Sequence, residues 1–196
     1  MTVATDRRMT LKAFLTYNDG TDQRYELVDG VLVKMGAESR INIRIAVFLI
    51  QYFSSLGLGD DRIGIKEMIE VKSAFVATAR DADLIIHSKE SSLALDGRSE
   101  SCLTLNDPNP LLVVEVISPG TESTDNYQRD YVQKPREYSE RGIPEFWQID
   151  PSRDRVRVLV LNRDSYQVRE FKGNEAIISP TFPELNLTVA RILRKE

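Results

Sequence analysis

Two carboxylates and one ammonium fall in this sequence where apolar side chains would be expected: Asp83, Glu115 and Lys134. Glu115 is the only charge in the run from Leu111 to Ile117, which is otherwise built of β-formers and bounded by Pro110 and Pro119. A short apolar run without polar alternation reads as a strand covered on both faces, and proline bounds it because it cannot donate to a sheet ladder. A carboxylate in such a strand loses its hydration, so it must be paired, protonated or bound to a cation. Asp83 opens a second apolar strand, Leu84-Ile-Ile86. Acids on neighbouring strands make a hard-oxygen site suited to Mg²⁺ or Mn²⁺.

Lys134 is found from helical periodicity. With Tyr127 set at zero, about 100° per residue puts Tyr131 at roughly 40°, Lys134 at roughly −20° and Tyr138 at roughly 20°. The lysine therefore lies inside a tyrosine stripe, on the face that packs inward. Pro135 removes a donor and disfavours helical geometry at Lys134, so a kink or a helix start is expected there. Each residue has a plainer alternative. Asp83 could close a turn, Glu115 could sit in a buried ion pair without catalytic duty, and Lys134 could snorkel to water.

The elements that must position these groups can be read along the chain. Thr10 caps a short helix, Leu11-Lys-Ala-Phe-Leu15, and Asp29-Gly30 joins Arg24–Val28 and Val31–Met35 as a hairpin. Apolar residues at Ile41, Ile45, Phe48, Leu49, Tyr52, Phe53 and Leu56 predict one helix with a single core-facing stripe, ended by Gly57 and Gly59. Strands are expected at Glu67–Val71 and Asp83–His87, a loop over most of Ser88–Pro108, and a helix over Asn126–Gly142. Glu145–Ile149, Arg155–Leu161 and Tyr166–Phe171 read as a meander, and the tail from Ile192 as a short helix. No repeat, low-complexity tract or linker interrupts this order, so residues 1–196 read as one α/β domain.

Bulk properties narrow the chemistry. The 196 residues suit one domain with a sizeable core, and 41% hydrophobic with 29% charged residues describes an ordinary globular chain. Twenty-six Lys+Arg against 30 Asp+Glu give a net charge of −4, which excludes a general nucleic-acid coat but not a local basic groove. The single cysteine, Cys102, excludes an intrachain disulfide and a Cys-based zinc site, and the single histidine, His87, excludes a multi-histidine metal site. With no apolar stretch of signal-peptide or membrane-spanning length, a reducing cytoplasm is the expected location.

Tyr25-Glu-Leu-Val-Asp-Gly30, Asp83-Leu-Ile-Ile86, Val114-Glu-Val-Ile-Ser-Pro119 and the segment from Lys134 through Gly142-Ile-Pro-Glu-Phe-Trp-Gln-Ile-Asp150 resemble the Uma-two family of endonucleases, in the PD-(D/E)XK restriction-endonuclease-like superfamily. The resemblance covers nearly the whole chain and is most specific from Glu115 to Asp150. It implies a restriction-endonuclease-like mixed central β-sheet flanked by helices, here with an added antiparallel C-terminal meander. It also implies that Asp83 and Glu115, with the backbone carbonyl of Val116, bind one divalent cation, Mg²⁺ or Mn²⁺, at a phosphodiester of nucleic acid, with DNA as the substrate. Two departures stand out: Ala82 replaces the motif's proline, and Ile117 occupies its lysine position. In this family the cation moves to the following helix, where Lys134 stands and would orient water or stabilise transition-state charge. Glu26 resembles a further family acid in the catalytic set, and Glu38 a weaker one. For both, an exposed hairpin or helix-start carboxylate is the plainer reading.

Two other classes stay open. One is an inactive scaffold or nucleic-acid-binding domain that kept the nuclease fold. The other is an acid–base hydrolase using His87, which lacks a Gly-x-Ser-x-Gly elbow to supply a nucleophile. Phe146, Trp147 and the meander offer surface for a homodimer, unless Trp147 is simply core.

Overall fold

A computed structural model describes residues 8–194. Six strands form the larger sheet: β3 (Ile63–Ile65), β6 (Leu84–Ile86), β8 (Leu112–Val116), β9 (Glu145–Asp150), β10 (Arg155–Asn162) and β11 (Ser165–Lys172), in the order β11-β10-β9-β8-β6-β3. Only β8 and β9 run parallel, which makes the sheet mixed. The meander is its C-terminal half rather than a separate unit. A second, five-stranded sheet has the order β2-β1-β5-β4-β7, with β1 (Tyr25–Val28), β2 (Val31–Lys34), β4 (Met68–Val71), β5 (Thr78–Asp81) and β7 (Cys102–Leu103). The expected hairpin is β1–β2, and Asp29 and Gly30 both take positive φ, 49° and 81°, as a tight two-residue turn demands.

The central strands β6, β8 and β9 of the larger sheet are buried on both faces, as the unbroken apolar run in β8 requires. Leu112, Val114 and Val116 face one core with Leu84, Ile86, Trp147 and Ile149, under α2 (Arg40–Ser55) and α6 (Val189–Leu193). Val113 faces the other core with Ile85, Phe146 and Tyr138 of α5 (Lys134–Arg141). Strand alternation therefore puts Glu115 on the α5 side, with Val113. Phe146 and Trp147 are fully buried, so they are core residues and offer no dimer surface.

The segment Ser88–Pro108 is mostly loop, as expected, but it also holds α3 (Lys89–Leu95), whose Ser88 hydroxyl accepts from the Ser91 amide, and the short β7. The serine N-cap was the available signal. α2 buries one stripe, with Ile45, Leu49, Tyr52 and Phe53 at its centre, but Ile41 lies outside it, and Ile43 and Val47 form a further apolar face open to solvent. The closing helix starts earlier than Ile192, at Val189, capped by Thr188, and Lys195 and Glu196 lie outside the described residues.

The helix expected over 126–142 is continuous but uneven. After α4 (Asp125–Tyr127), residues Gln128–Gln133 widen into a π-helical turn before α5 begins at Lys134. Pro135 has no amide hydrogen for the carbonyl four residues back and would clash with it in α geometry, so a widened turn relieves both. The Gln148 side chain donates to the Asp130 carbonyl in that turn, the outside donor such a segment calls for. Gly142 closes the helix with φ +90°.

Candidate active site

The site lies where the chain passes from one sheet to the other. β5 ends at Asp81, β6 begins at Leu84, and the bend at Ala82–Asp83 interrupts the ladder, so its backbone groups need other partners. The Glu26 carboxylate accepts the Asp81 amide at 3.1 Å, the Lys134 ammonium donates to the Asp81 carbonyl at 3.1 Å, and the Ala82 amide donates to the Glu67 carbonyl at 3.0 Å. The side chains that hold the bend together are among those singled out from the sequence.

Leu84 pairs with Val114 across the β6–β8 ladder, and continuing that register places Asp83 opposite Glu115. Oδ2 of Asp83 accepts the Val116 amide at 2.7 Å. Oε1 of Glu115 accepts from the Lys134 ammonium at 2.8 Å and from the Tyr138 hydroxyl at 3.3 Å. Lys134 also pairs with Oε1 of Glu26 at 3.2 Å. Its three partners, Glu115, Glu26 and the Asp81 carbonyl, engage all three ammonium hydrogens, and the side chain is 1% exposed. Glu26 is itself fully buried and bridged to Arg80, whose guanidinium also binds Glu137 at 2.7 Å. The reading of Glu26 as an exposed hairpin carboxylate is therefore overturned: Arg80, reaching across from β5, gives it a buried partner.

One cleft unites the front of this arrangement. It is lined by the carboxylates of Glu38, Asp81, Asp83, Glu115 and Asp130, the cations Lys66, Arg129 and Lys134, and by Val116. Five acids against three cations leave a formal excess of two negative charges. Burial pushes the Glu115 carboxyl up to about 8; Lys134 pulls it down, while Asp83 and Asp130 push it up again. Burial also acts to raise Glu26, but Lys134 and Arg80 outweigh it and hold that carboxyl at about 2. Burial acts to lower Lys134, and Glu115 with Glu26 reverse this and raise it, so the ammonium keeps its proton and Glu115 is the member that titrates. Asp81 is raised by burial, and its Oδ1 is buried without a hydrogen-bond partner among the described residues.

These observations bear on a divalent cation. Among the described residues, no three His, Cys, Asp or Glu side chains converge as a ready ligand cluster. The donors that line the cleft, the Asp83 and Glu115 carboxylates beside an unpartnered buried oxygen of Asp81, are hard oxygens in a cleft with surplus negative charge, and Val116 lies with them. That donor set fits Mg²⁺ or Mn²⁺, completed by water.

The structure brings the sequence-predicted Asp83, Glu115 and Lys134 into one cleft, and four of its charged residues, Asp81, Asp130, Lys66 and Arg129, were not singled out from the sequence. Asp81 lies two positions before Asp83 and carried no separate signal. Lys66 belongs to the turn between β3 and β4, and its ammonium bridges Glu38 and Asp83. His87, the basis of the hydrolase alternative, lies between Glu67 Oε2 at 2.7 Å and Ser91 Oγ at 3.1 Å, an order that mimics a catalytic triad. The imidazole is 2% exposed and Ser91 fully buried, so no substrate reaches that serine; the pair ties α3 to the β3–β4 turn.

The sequence matches the Uma2 family, described as a putative restriction endonuclease, over residues 11–190. Among solved structures, a putative nuclease belonging to DUF820 from Anabaena variabilis aligns with a TM-score of 0.68 at 16% identity, covering 95% of this chain and 98% of that one. At that identity the likeness is one of fold. No curated protein matches.

Proposed function

Because the chain belongs to the Uma2 family of restriction-endonuclease-like proteins, we propose that it is a metal-dependent endonuclease that hydrolyses phosphodiester bonds of DNA, with Asp83 and Glu115 as its cation-binding acids. The observation that carries the proposal is the meeting of these two carboxylates, one on β8 and one in the bend before β6, in one cleft with an excess of negative charge. DNA as substrate rests on the family's description.

A divalent cation bound there would polarise a phosphoryl oxygen and lower the pKa of a nearby water. Asp83 and Glu115, with the Val116 carbonyl, would hold it. The remaining work belongs to the protein. The Val116 amide fixes one oxygen of Asp83, and Lys134 with Tyr138 fixes one oxygen of Glu115. With its three hydrogens engaged, Lys134 acts as a positioning residue that holds Glu115 and counters its charge. Glu26, clamped by Arg80, sets the position of Lys134 from behind. In the hydrolysis, the water oxygen bonds to phosphorus, a bridging P–O bond breaks, and the leaving oxygen takes up a proton.

The test is plasmid nicking with and without Mg²⁺ by the wild type, Glu115→Gln and Asp83→Asn. Cleavage should require the cation and fall at least about 100-fold in each variant, since even outer-shell changes at metal sites cost about 10–100-fold. The far-UV circular dichroism of Glu115→Gln should match the wild type, because the amide oxygen still accepts from Lys134. Undiminished nicking by Glu115→Gln rejects the assignment. A wild type that binds no divalent cation favours the inactive nucleic-acid-binding domain instead.

A further inference from the structure

Lys66 stands out because nothing in the sequence marked it, yet its ammonium occupies the place where a cation is needed. The Val116 amide already uses Oδ2 of Asp83, and Lys66 takes Oδ1, reaching Glu38 as well. Any cation that bonds Asp83 through Oδ1 meets this ammonium first. The two lysines of the cleft also differ in access: the Lys66 side chain is 24% exposed, whereas Lys134 is 1% exposed.

The turn that carries Lys66 is built to hold it there. Lys66 has φ +55°, a left-handed conformation that costs a non-glycine residue on the order of 1 kcal/mol and persists only where its surroundings impose it. The residues that follow it are firmly anchored. The Glu67 side chain is bound by the buried His87 at 2.7 Å, its carbonyl accepts the Ala82 amide, and the Met68 amide donates to the Ser101 carbonyl at 2.9 Å. Arg24 reaches the Lys66 carbonyl at 3.4 Å. A solvated surface lysine needs no such scaffold.

We propose that Lys66 is a tethered counter-ion that exchanges with the divalent cation. In the metal-free protein it neutralises Asp83 and Glu38; on metal binding it is displaced from Asp83 and contacts the scissile phosphate at the cleft mouth. The proposal rests on the metal-dependent reading above. It makes a pairing of effects that a purely structural lysine would not produce, because one substitution must help the metal and harm the reaction. Removing the ammonium relieves the metal of a like charge at its ligand and deprives the phosphate of a cation.

The experiment is calorimetric titration of Mn²⁺ into wild type, Lys66→Met, Lys66→Gly and Asp83→Asn, with plasmid nicking at saturating Mn²⁺. Lys66→Gly also relaxes the left-handed backbone, so poor folding cannot account for a shared result. Both Lys66 variants should bind Mn²⁺ about tenfold tighter and nick about 100-fold more slowly, as estimated from like-charge repulsion and from loss of a transition-state donor. Asp83→Asn should lose the site. If wild type binds Mn²⁺ and either readout is unchanged in both Lys66 variants, the exchange is overturned while the nuclease reading stands. If wild type binds no metal, the nuclease reading falls and the exchange falls with it.

Discussion

Metal binding at this site should release a proton, and Glu115 is its source. Burial and the charges of Asp83 and Asp130 push its carboxyl up to about 8, so at pH 7 about nine in ten metal-free molecules carry the proton there. A cation needs the carboxylate, so each unit of pH below about 8 should weaken the apparent affinity about tenfold. From pH 8, where half is already protonated, to pH 6 the loss is about 50-fold, or about 2 kcal/mol. The stability of the metal-free fold has the matching sign. A carboxyl whose folded pKa lies above its ordinary value stabilises the fold fully below about 4.5 and loses that contribution as pH rises through about 8. The contribution of Glu115 to the melting temperature without metal should therefore fall between about pH 5 and pH 8 and level off above that, and Glu115→Gln should lack this component. The assay is titration calorimetry with Mn²⁺ at pH 6, 7 and 8 in two buffers of different ionisation enthalpy, which counts the protons released. An affinity flat across that range, with equal heats in both buffers, refutes the protonation of the buried Glu115 in this negatively charged cleft.

Two further outcomes follow from the same network. Lys134→Met takes from the buried, ionised Glu26 the ammonium it shares with Glu115, and should destabilise the protein by about 3–5 kcal/mol in thermal or urea unfolding; a loss under about 1 kcal/mol would mean that Glu26 is not charged there. Gly64→Ala places a methyl 2.3 Å from Glu67 Oε2 and 2.8 Å from Nε2 of the buried His87, breaking the clamp behind Lys66. It should cost about 1–3 kcal/mol, and an unchanged melting temperature would show that the clamp yields freely.

Local chemistry was legible where a residue contradicted its own segment. Glu115 in a valine strand and Lys134 in a tyrosine stripe each announced a buried charge, and the structure places both in one cluster. Hairpin, central strand, meander and the Gly142 helix end were equally readable, because turn chemistry and side-chain periodicity act over a few residues. The helical stripe survived the π-helical turn because the phase change falls before Lys134, leaving Lys134 and Tyr138 on the packed face.

Other features were decided only by the fold. Short strands such as β3 and β5 carry too few residues to show a period, yet β5 supplies Arg80 and Asp81, and the turn after β3 supplies Lys66. Glu26 looked like a hairpin surface residue because its partners, Arg80 and Lys134, lie 54 and 108 positions away. The sequence by itself determined which charges had to be buried, since hydration is lost wherever the neighbours are apolar. Which counter-charge meets each one depends on how the two sheets join at Ala82–Asp83, and that junction arises only when distant strands pair.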